Sequence, residues 1–192
     1  TTFDKSDRGI LLDIGGGSTE IISFKNEKII DSASLDIGSL SVFKDYVDSL
    51  FITREERKVV DDRLLELLHA QNMERDNFDF IYALVGSARA TLRLYNRIFQ
   101  EDPLNDMMKT DDLKTLRNYM IDLSNREKMD LILKVKADRI HTLLPGLCIL
   151  YRLAKYFHAE NIKISQRGIR EGIMYSRLQG GKGNVWCVLY AK

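Results

Sequence analysis

Proline occurs twice, at Pro103 and Pro145, cysteine twice, at Cys148 and Cys187, and tryptophan once, at Trp186. Two cysteines are too few for a disulfide framework or a zinc site. Two prolines leave nearly the whole chain free to form long helices. No apolar run approaches the roughly 20 residues of a membrane span, and no signal-peptide pattern opens the chain. An excess of either charge is missing too: 29 Lys and Arg against 28 Asp and Glu leave a net charge of +1. That balance speaks against nucleic acid or a membrane surface as a partner drawn by bulk charge, although local basic patches stay open. What is present is a globular composition, with 44% hydrophobic and 30% charged residues among 192. A chain of this length buries roughly 70% of its unfolded surface and needs no staples. The expectation is a soluble protein of a reducing compartment, cytoplasmic, and, since it starts at Thr1 without a methionine, a fragment of something longer.

The first 40 residues read as three strands. Residues 9–14 (GILLDI) form a short apolar run broken by Gly15, Gly16 and Gly17. Residues 19–25 alternate, Asn26 and Glu27 supply a turn, and residues 28–37 return, which together make an antiparallel meander. Helical spacing follows over 39–51, and Thr53 with Glu56 forms a capping box opening a helix to about Gln71. Residues 78–85 read as a fourth strand ending at Gly86, with a helix over 87–100. Thr110 is expected to cap a helix with an acidic first turn at Asp111 and Asp112. The stripe from Ile140 to Ala154 predicts one long helix over 137–157, kinked at Pro145. A strand over 161–165, a closing helix over 169–178 and a glycine-rich linker at Gly180, Gly181 and Gly183 complete the order. This suits a mixed sheet flanked by helices.

The sharpest chemical signal is Asp13-Ile14-Gly15-Gly16-Gly17-Ser18-Thr19-Glu20. Three glycines let backbone N–H groups approach an anion closely, and Ser18 and Thr19 add hydroxyl donors. Asp13 and Glu20 flank them and could hold a hard cation such as Mg²⁺ through waters. Phosphate donors beside metal carboxylates suit phosphoryl transfer. The plain alternative is a glycine-rich hairpin with two solvated acids. No lysine follows the glycines and a strand follows the loop, so neither the P-loop nor the dinucleotide fingerprint applies. Gly86, Ser87 and Arg89 form a strand-to-helix turn, a ready anion site or an ordinary turn with a surface arginine. A third such turn, residues 165–172 (SQRGIREG with Ser165 at its head), could meet the other two in one cleft.

These motifs together resemble the exopolyphosphatase and guanosine pentaphosphate phosphohydrolase (Ppx/GppA) family. The matches are LLDIGGGSTEI, SLDIGS at 34–39, VGSAR at 85–89, ADRIHTLLPGLCIL at 137–150 and ISQRGIREG at 164–172. The resemblance implies an α/β fold of the actin-like, ribonuclease-H-like type. Residues 1–179 would be one domain, the second half of a two-half architecture, and 180–192 an unassigned tail. It implies a hydrolase of inorganic polyphosphate or guanosine pentaphosphate. Phosphate-binding residues would be Gly15, Gly16, Gly17, Ser18, Thr19, Gly86, Ser87, Arg89, Arg139 and Arg170. Asp13 and Glu20 would hold Mg²⁺, with Glu20 in a catalytic role. The family's base glutamate belongs to the first half, so this chain alone would be inactive, and the first half is an expected partner. A homodimer is a further allowed state; nucleic acid and membrane are not expected as partners. Two other readings stay open: a module that binds a phosphate-rich nucleotide without turnover, and half of an actin-like kinase or ATPase.

His69, His141 and His158 lack a second histidine or cysteine at ligand spacing, and Cys148 sits on the apolar stripe as a small hydrophobe. The charged residues over 54–63 read as a solvated helix face, not a binding patch.

Overall fold

The computed structural model describes residues 8–26, 28–73, 78 and 80–165. Its centre is one six-stranded sheet in the order β3-β2-β1-β4-β6-β5. The meander is β1 (Arg8–Ile14), β2 (Thr19–Lys25) and β3 (Lys28–Leu35), paired antiparallel in turn. β4 (Phe80–Leu84) joins β1 in parallel, and β6 (Asn161–Ile164) joins β4 in parallel. A short strand, β5 (Met107–Lys109), closes that edge antiparallel to β6. Three residues carry too little periodicity to read as a strand from sequence. The fold class is therefore the expected one: a mixed sheet with an antiparallel three-strand start, flanked by helices.

The burial of the strands follows their place in the sheet. Ile10, Leu11 and Leu12 of β1 are at most 1% exposed, since the strand is covered on both faces and reads as a continuous apolar run. At the free edge, Ile29 and Ile30 of β3 are exposed. The turn into β3 passes through Asn26, whose φ of 49° is left-handed, a conformation asparagine tolerates.

Six α-helices are described: α1 (Ser39–Tyr46), α2 (Arg54–Ala70), α3 (Val85–Phe99), α4 (Thr110–Asp122), α5 (Asn125–Lys136) and α6 (Leu143–Tyr156). The capping box of Thr53 and Glu56 is present. A second one, Ser124 with Glu127, starts α5. α1 stops short of the expected residue 51 because Val47 turns extended.

Two expectations need correction. Thr110 is the first residue of α4 rather than its cap; its hydroxyl donates instead to the Ala159 carbonyl at 2.6 Å. The kinked helix over 137–157 is not one helix. A 3-10 turn at Ala137–Arg139 is followed by a break, and α6 begins at Leu143. Pro145 thus lies in the first turn of α6, where its missing N–H has no intrahelical partner to lose. α6 is the core helix, with twelve of its residues buried, and it packs against α1, α2, α3 and α4. The expected closing helix, Trp186, Cys187 and the tail lie outside the described residues.

Candidate active site

The topology alone gathers the motifs. β1, β4 and β6 run parallel in register, Asp13 beside Leu84 and Ala83 beside Ile164. Their C-terminal ends therefore lie at one end of the sheet, where open α/β sheets bind ligands. The loop of residues 15–18, the start of α3 and Ser165 all leave from that end. β3 also finishes there, and delivers Gly38 and the N-terminus of α1 beside the glycine loop.

The loop is a tight reversal closed by the Gly15 N–H donating to the Ser18 carbonyl at 2.9 Å. α1 grips it from one side. The Ser39 N–H donates to the Gly15 carbonyl at 2.9 Å, and the Leu40 and Ser41 N–H groups donate to the Gly16 carbonyl at 2.8 and 2.9 Å. The Ser39 hydroxyl adds a bond to the Gly15 carbonyl at 3.0 Å. Such close contact requires glycine at position 38: a Cβ there would come within 2.6 Å of the Gly16 backbone. Loop carbonyls thus satisfy N–H groups that a helix start otherwise leaves orphaned, and Gly16 and Gly17 remain exposed at the tip. A Cβ on Gly17 would meet nothing within 4 Å, so packing does not explain why a side chain is lacking there.

The two acids sit directly below. Asp13 and Glu20 are direct partners across the β1–β2 ladder, so their side chains share one face of the sheet. Ser18 donates its hydroxyl to Glu20 Oε1 at 2.5 Å. Thr19 differs from its neighbours: it is fully buried and donates to the Ile37 carbonyl at 2.6 Å, tying β2 to the exit of β3.

α3 starts at Val85, two residues earlier than expected, which places Gly86 inside the first helical turn. Over it lies the Arg139 guanidinium. A Cβ on Gly86 would come within 2.9 Å of Arg139 Cζ, so the missing side chain makes room for the arginine. Ser87 is buried and donates to the Ser39 hydroxyl at 3.3 Å, linking the starts of α3 and α1. α6 closes on this pair at Gly146, where a Cβ would lie 2.9 Å from Ser87 Cβ. Arg89 donates from Nε to the Ser165 carbonyl at 3.2 Å, which binds α3 to the end of β6. Arg170 and the rest of the third turn after Ser165 lie outside the described residues.

The structure thus brings together Asp13, Gly15, Gly16, Gly17, Ser18, Glu20, Gly86, Ser87 and Arg139. Gly38, Ser39 and Gly146 complete the arrangement; the motif residues Gly38 and Ser39 gave no sign in sequence of what they touch. Cys148 is no nucleophile here: it is buried, and that burial pushes its thiol up to about 12.

Comparison with known proteins bears on the family and the fold. The Ppx/GppA phosphatase family model matches residues 1–180. A guanosine-5'-triphosphate,3'-diphosphate pyrophosphatase of Pseudoalteromonas translucida is 25% identical over 174 residues, 88% of this chain and 33% of that protein. The crystal structure of the Aquifex aeolicus Ppx/GppA family member superposes with a TM-score of 0.76 at 22% identity, over 91% of this chain and 57% of that one. An exopolyphosphatase from Cytophaga hutchinsonii gives 0.75 at 20% identity, over 92% and 59%. The chain spans about a third of that curated relative and just over half of the two solved structures.

Proposed function

The chain belongs to the Ppx/GppA phosphatase family, and on that premise we propose that it is one half of a phosphoanhydride hydrolase. Its substrate is inorganic polyphosphate or a guanosine pentaphosphate, the classes named in its relatives. The observation that carries this reading is the direct pairing of Asp13 with Glu20 beneath the exposed glycine tip. Two facing carboxylates next to an anion loop repel a phosphate chain unless a cation lies between them. The donor set suits Mg²⁺, which keeps several waters and takes one or two protein carboxylates together with substrate phosphates. When bound, the ion supplies neutralisation of charge on the phosphate oxygens.

The residues of this chain do the rest of the work assigned here. The Gly16 and Gly17 N–H groups hold the terminal phosphate, while the Ser18 hydroxyl, donated to Glu20, orients that carboxylate. The Arg139 guanidinium, poised over Gly86 at the start of α3, carries the neighbouring phosphate, where the helix N-terminus favours negative charge. Thr19, Ser87 and Arg89 hold the scaffold in place through the bonds described above. Attack by water on phosphorus requires a base, which we assign to a glutamate of a first half facing this one. Residues 1–179 act as the second half of that two-half enzyme.

The experiment is a magnesium titration of phosphate-chain binding by this chain, with turnover measured once a first half is supplied. Asp13→Asn and Glu20→Gln are expected to weaken magnesium-dependent binding and to cut turnover. Unchanged magnesium dependence in both variants overturns the metal assignment. Binding without any turnover in the two-half protein would favour a sensing module over a hydrolase.

A further inference from the structure

We propose that the cavity between α2, α4 and α6 is a second anion site, built for a short oligophosphate of pyrophosphate size. It is a hollow of about 390 Å³ whose cationic lining comprises Arg54, Arg57, Lys114, Arg117, Arg152 and Lys155. Among the described residues the one acid lining it is Asp122, which pairs with Arg54. Asp61, behind it, pairs with Arg117 at 3.2 Å and reaches Arg57 at 3.9 Å. Among the described residues, Lys114, Arg152 and Lys155 make no ion pair.

Arg117 is the anchor. It is 5% exposed, its Nη1 donates to both Asp61 oxygens at 3.3 and 3.2 Å, and its guanidinium lies 4.0 Å over the Tyr151 ring. The group is therefore held in a fixed plane, yet its Nε–H is buried with no acceptor. The Nε–H groups of Arg57 and Arg152 are buried and without acceptors as well. Buried N–H groups are seldom left unpaired, and three on arginines that line one hollow mark a place where positive charge is under-compensated. Guanidinium forks suit phosphate oxygens, and the arginines lining the hollow share it with the ammonium groups of Lys114 and Lys155.

The volume exceeds what one phosphate needs, and a second hollow of about 650 Å³ shares Lys114, Tyr151 and Lys155 with it. That neighbour carries Asp111 and Glu160, which set a limit on how far a polyanion extends. The face of Tyr151 is taken by Arg117, so no aromatic platform is left for a nucleobase, and the free oligophosphate is the ligand. The site is separate from the glycine loop. Gly146 on α6 touches Ser87 and Ser39, while Arg152 and Lys155 follow roughly 9 and 13 Å further along the helix at 1.5 Å per residue. The proposal does not depend on the function proposed for that loop.

The test is calorimetric titration of the chain with pyrophosphate in the absence of magnesium. Binding is expected, weakened at least tenfold by Arg152→Gln and by the paired Lys114→Gln, Lys155→Gln. Both lysines are exposed, so the pair leaves the fold intact even where an arginine variant does not. Lys58→Gln, on the exposed face of α2, is expected to leave the affinity unchanged. No binding, binding indifferent to the lysine pair, or binding abolished by Arg139→Gln overturns the site. A tenfold preference for guanosine diphosphate over pyrophosphate overturns the choice of a free oligophosphate.

Discussion

Asp13 and Glu20 face each other across the β1–β2 ladder, one pair in from the Ile14–Thr19 pair that carries the glycine loop. Like charges directly opposite in a sheet destabilise it, by about 0.2–1 kcal/mol on the scale of cross-strand pairs. Asp13→Asn or Glu20→Gln relieves that repulsion, and Glu20→Gln, whose amide oxygen still accepts from Ser18, should leave the metal-free chain as stable as before or slightly more so. The same changes should lower turnover in the two-half enzyme by roughly 10²-fold or more, the scale of losing one transition-state charge contact. Chemical denaturation with and without magnesium checks the first half of this, and phosphate release checks the second. A loss of several kcal/mol in metal-free stability would make the acids structural.

Gly38 and Gly17 make a contrasting pair. At Gly38 a Cβ collides with the Gly16 backbone, whereas at Gly17 it meets open space. Gly38→Ala should cost about 1–3 kcal/mol, as overpacking does, and should shift the loop. Gly17→Ala should stay within about 0.5 kcal/mol of the parent, as surface changes do, while weakening phosphate-chain binding. Thermal unfolding of both variants beside binding isotherms separates the two roles. Equal binding by Gly17→Ala and the parent would place the phosphate elsewhere.

The sheet and the loop were legible because each rests on a local signal. GILLDI is a buried-strand run, the meander has a two-residue turn, and LLDIGGGSTEI packs its chemistry into eleven residues. Elements whose cause is tertiary were not legible. β5 exists because Met107–Lys109 can pair with β6, and the break before α6 places Arg139 over Gly86. The charged stretch over 54–63 looked like a solvated face, and most of it is. Arg57 and Asp61 are exceptions, at 16% and 14% side-chain exposure, because Arg117 reaches Asp61 from α4, 56 residues away in sequence, and Arg57 lies 3.9 Å from the same carboxylate. Thr19 looked like a phosphate ligand because sequence cannot show that a hydroxyl is already spent on Ile37.

Tyr95 gives the fold a pH dependence remote from the site. Burial first, and then its hydrogen bond to Asp112 at 3.1 Å, push the phenol up to about 12. Unfolded tyrosine titrates near 10, so the folded chain retains a proton that the unfolded chain loses. The contribution is complete below pH 10 and disappears as pH rises through 12. Stability of the parent should fall over that window, and Tyr95→Phe should flatten this part of the profile. Denaturant midpoints at a series of alkaline pH values measure it, and identical slopes for the two proteins would remove Tyr95 from the account.

Gly86 and Arg139 should behave as one unit. The guanidinium occupies the space that a side chain on Gly86 would fill, so Gly86→Ala expels the arginine without removing its charge. If Arg139 binds the phosphate chain only from that position, Gly86→Ala and Arg139→Gln should each weaken binding by a similar factor. A charge-assisted hydrogen bond is worth roughly 1.5–3 kcal/mol, which corresponds to a loss of about tenfold to a hundredfold. The double variant should bind no worse than either single one, since each change removes the same contact, and the cycle should show strong non-additivity. Additive losses would mean that the two act on the ligand separately, with Gly86 serving through its own N–H at the start of α3. An effect of Gly86→Ala alone would leave the helix terminus as the binding element and Arg139 as a bystander. Phosphate-chain affinities of the four proteins, at fixed ionic strength because the contact is ionic, decide among these outcomes.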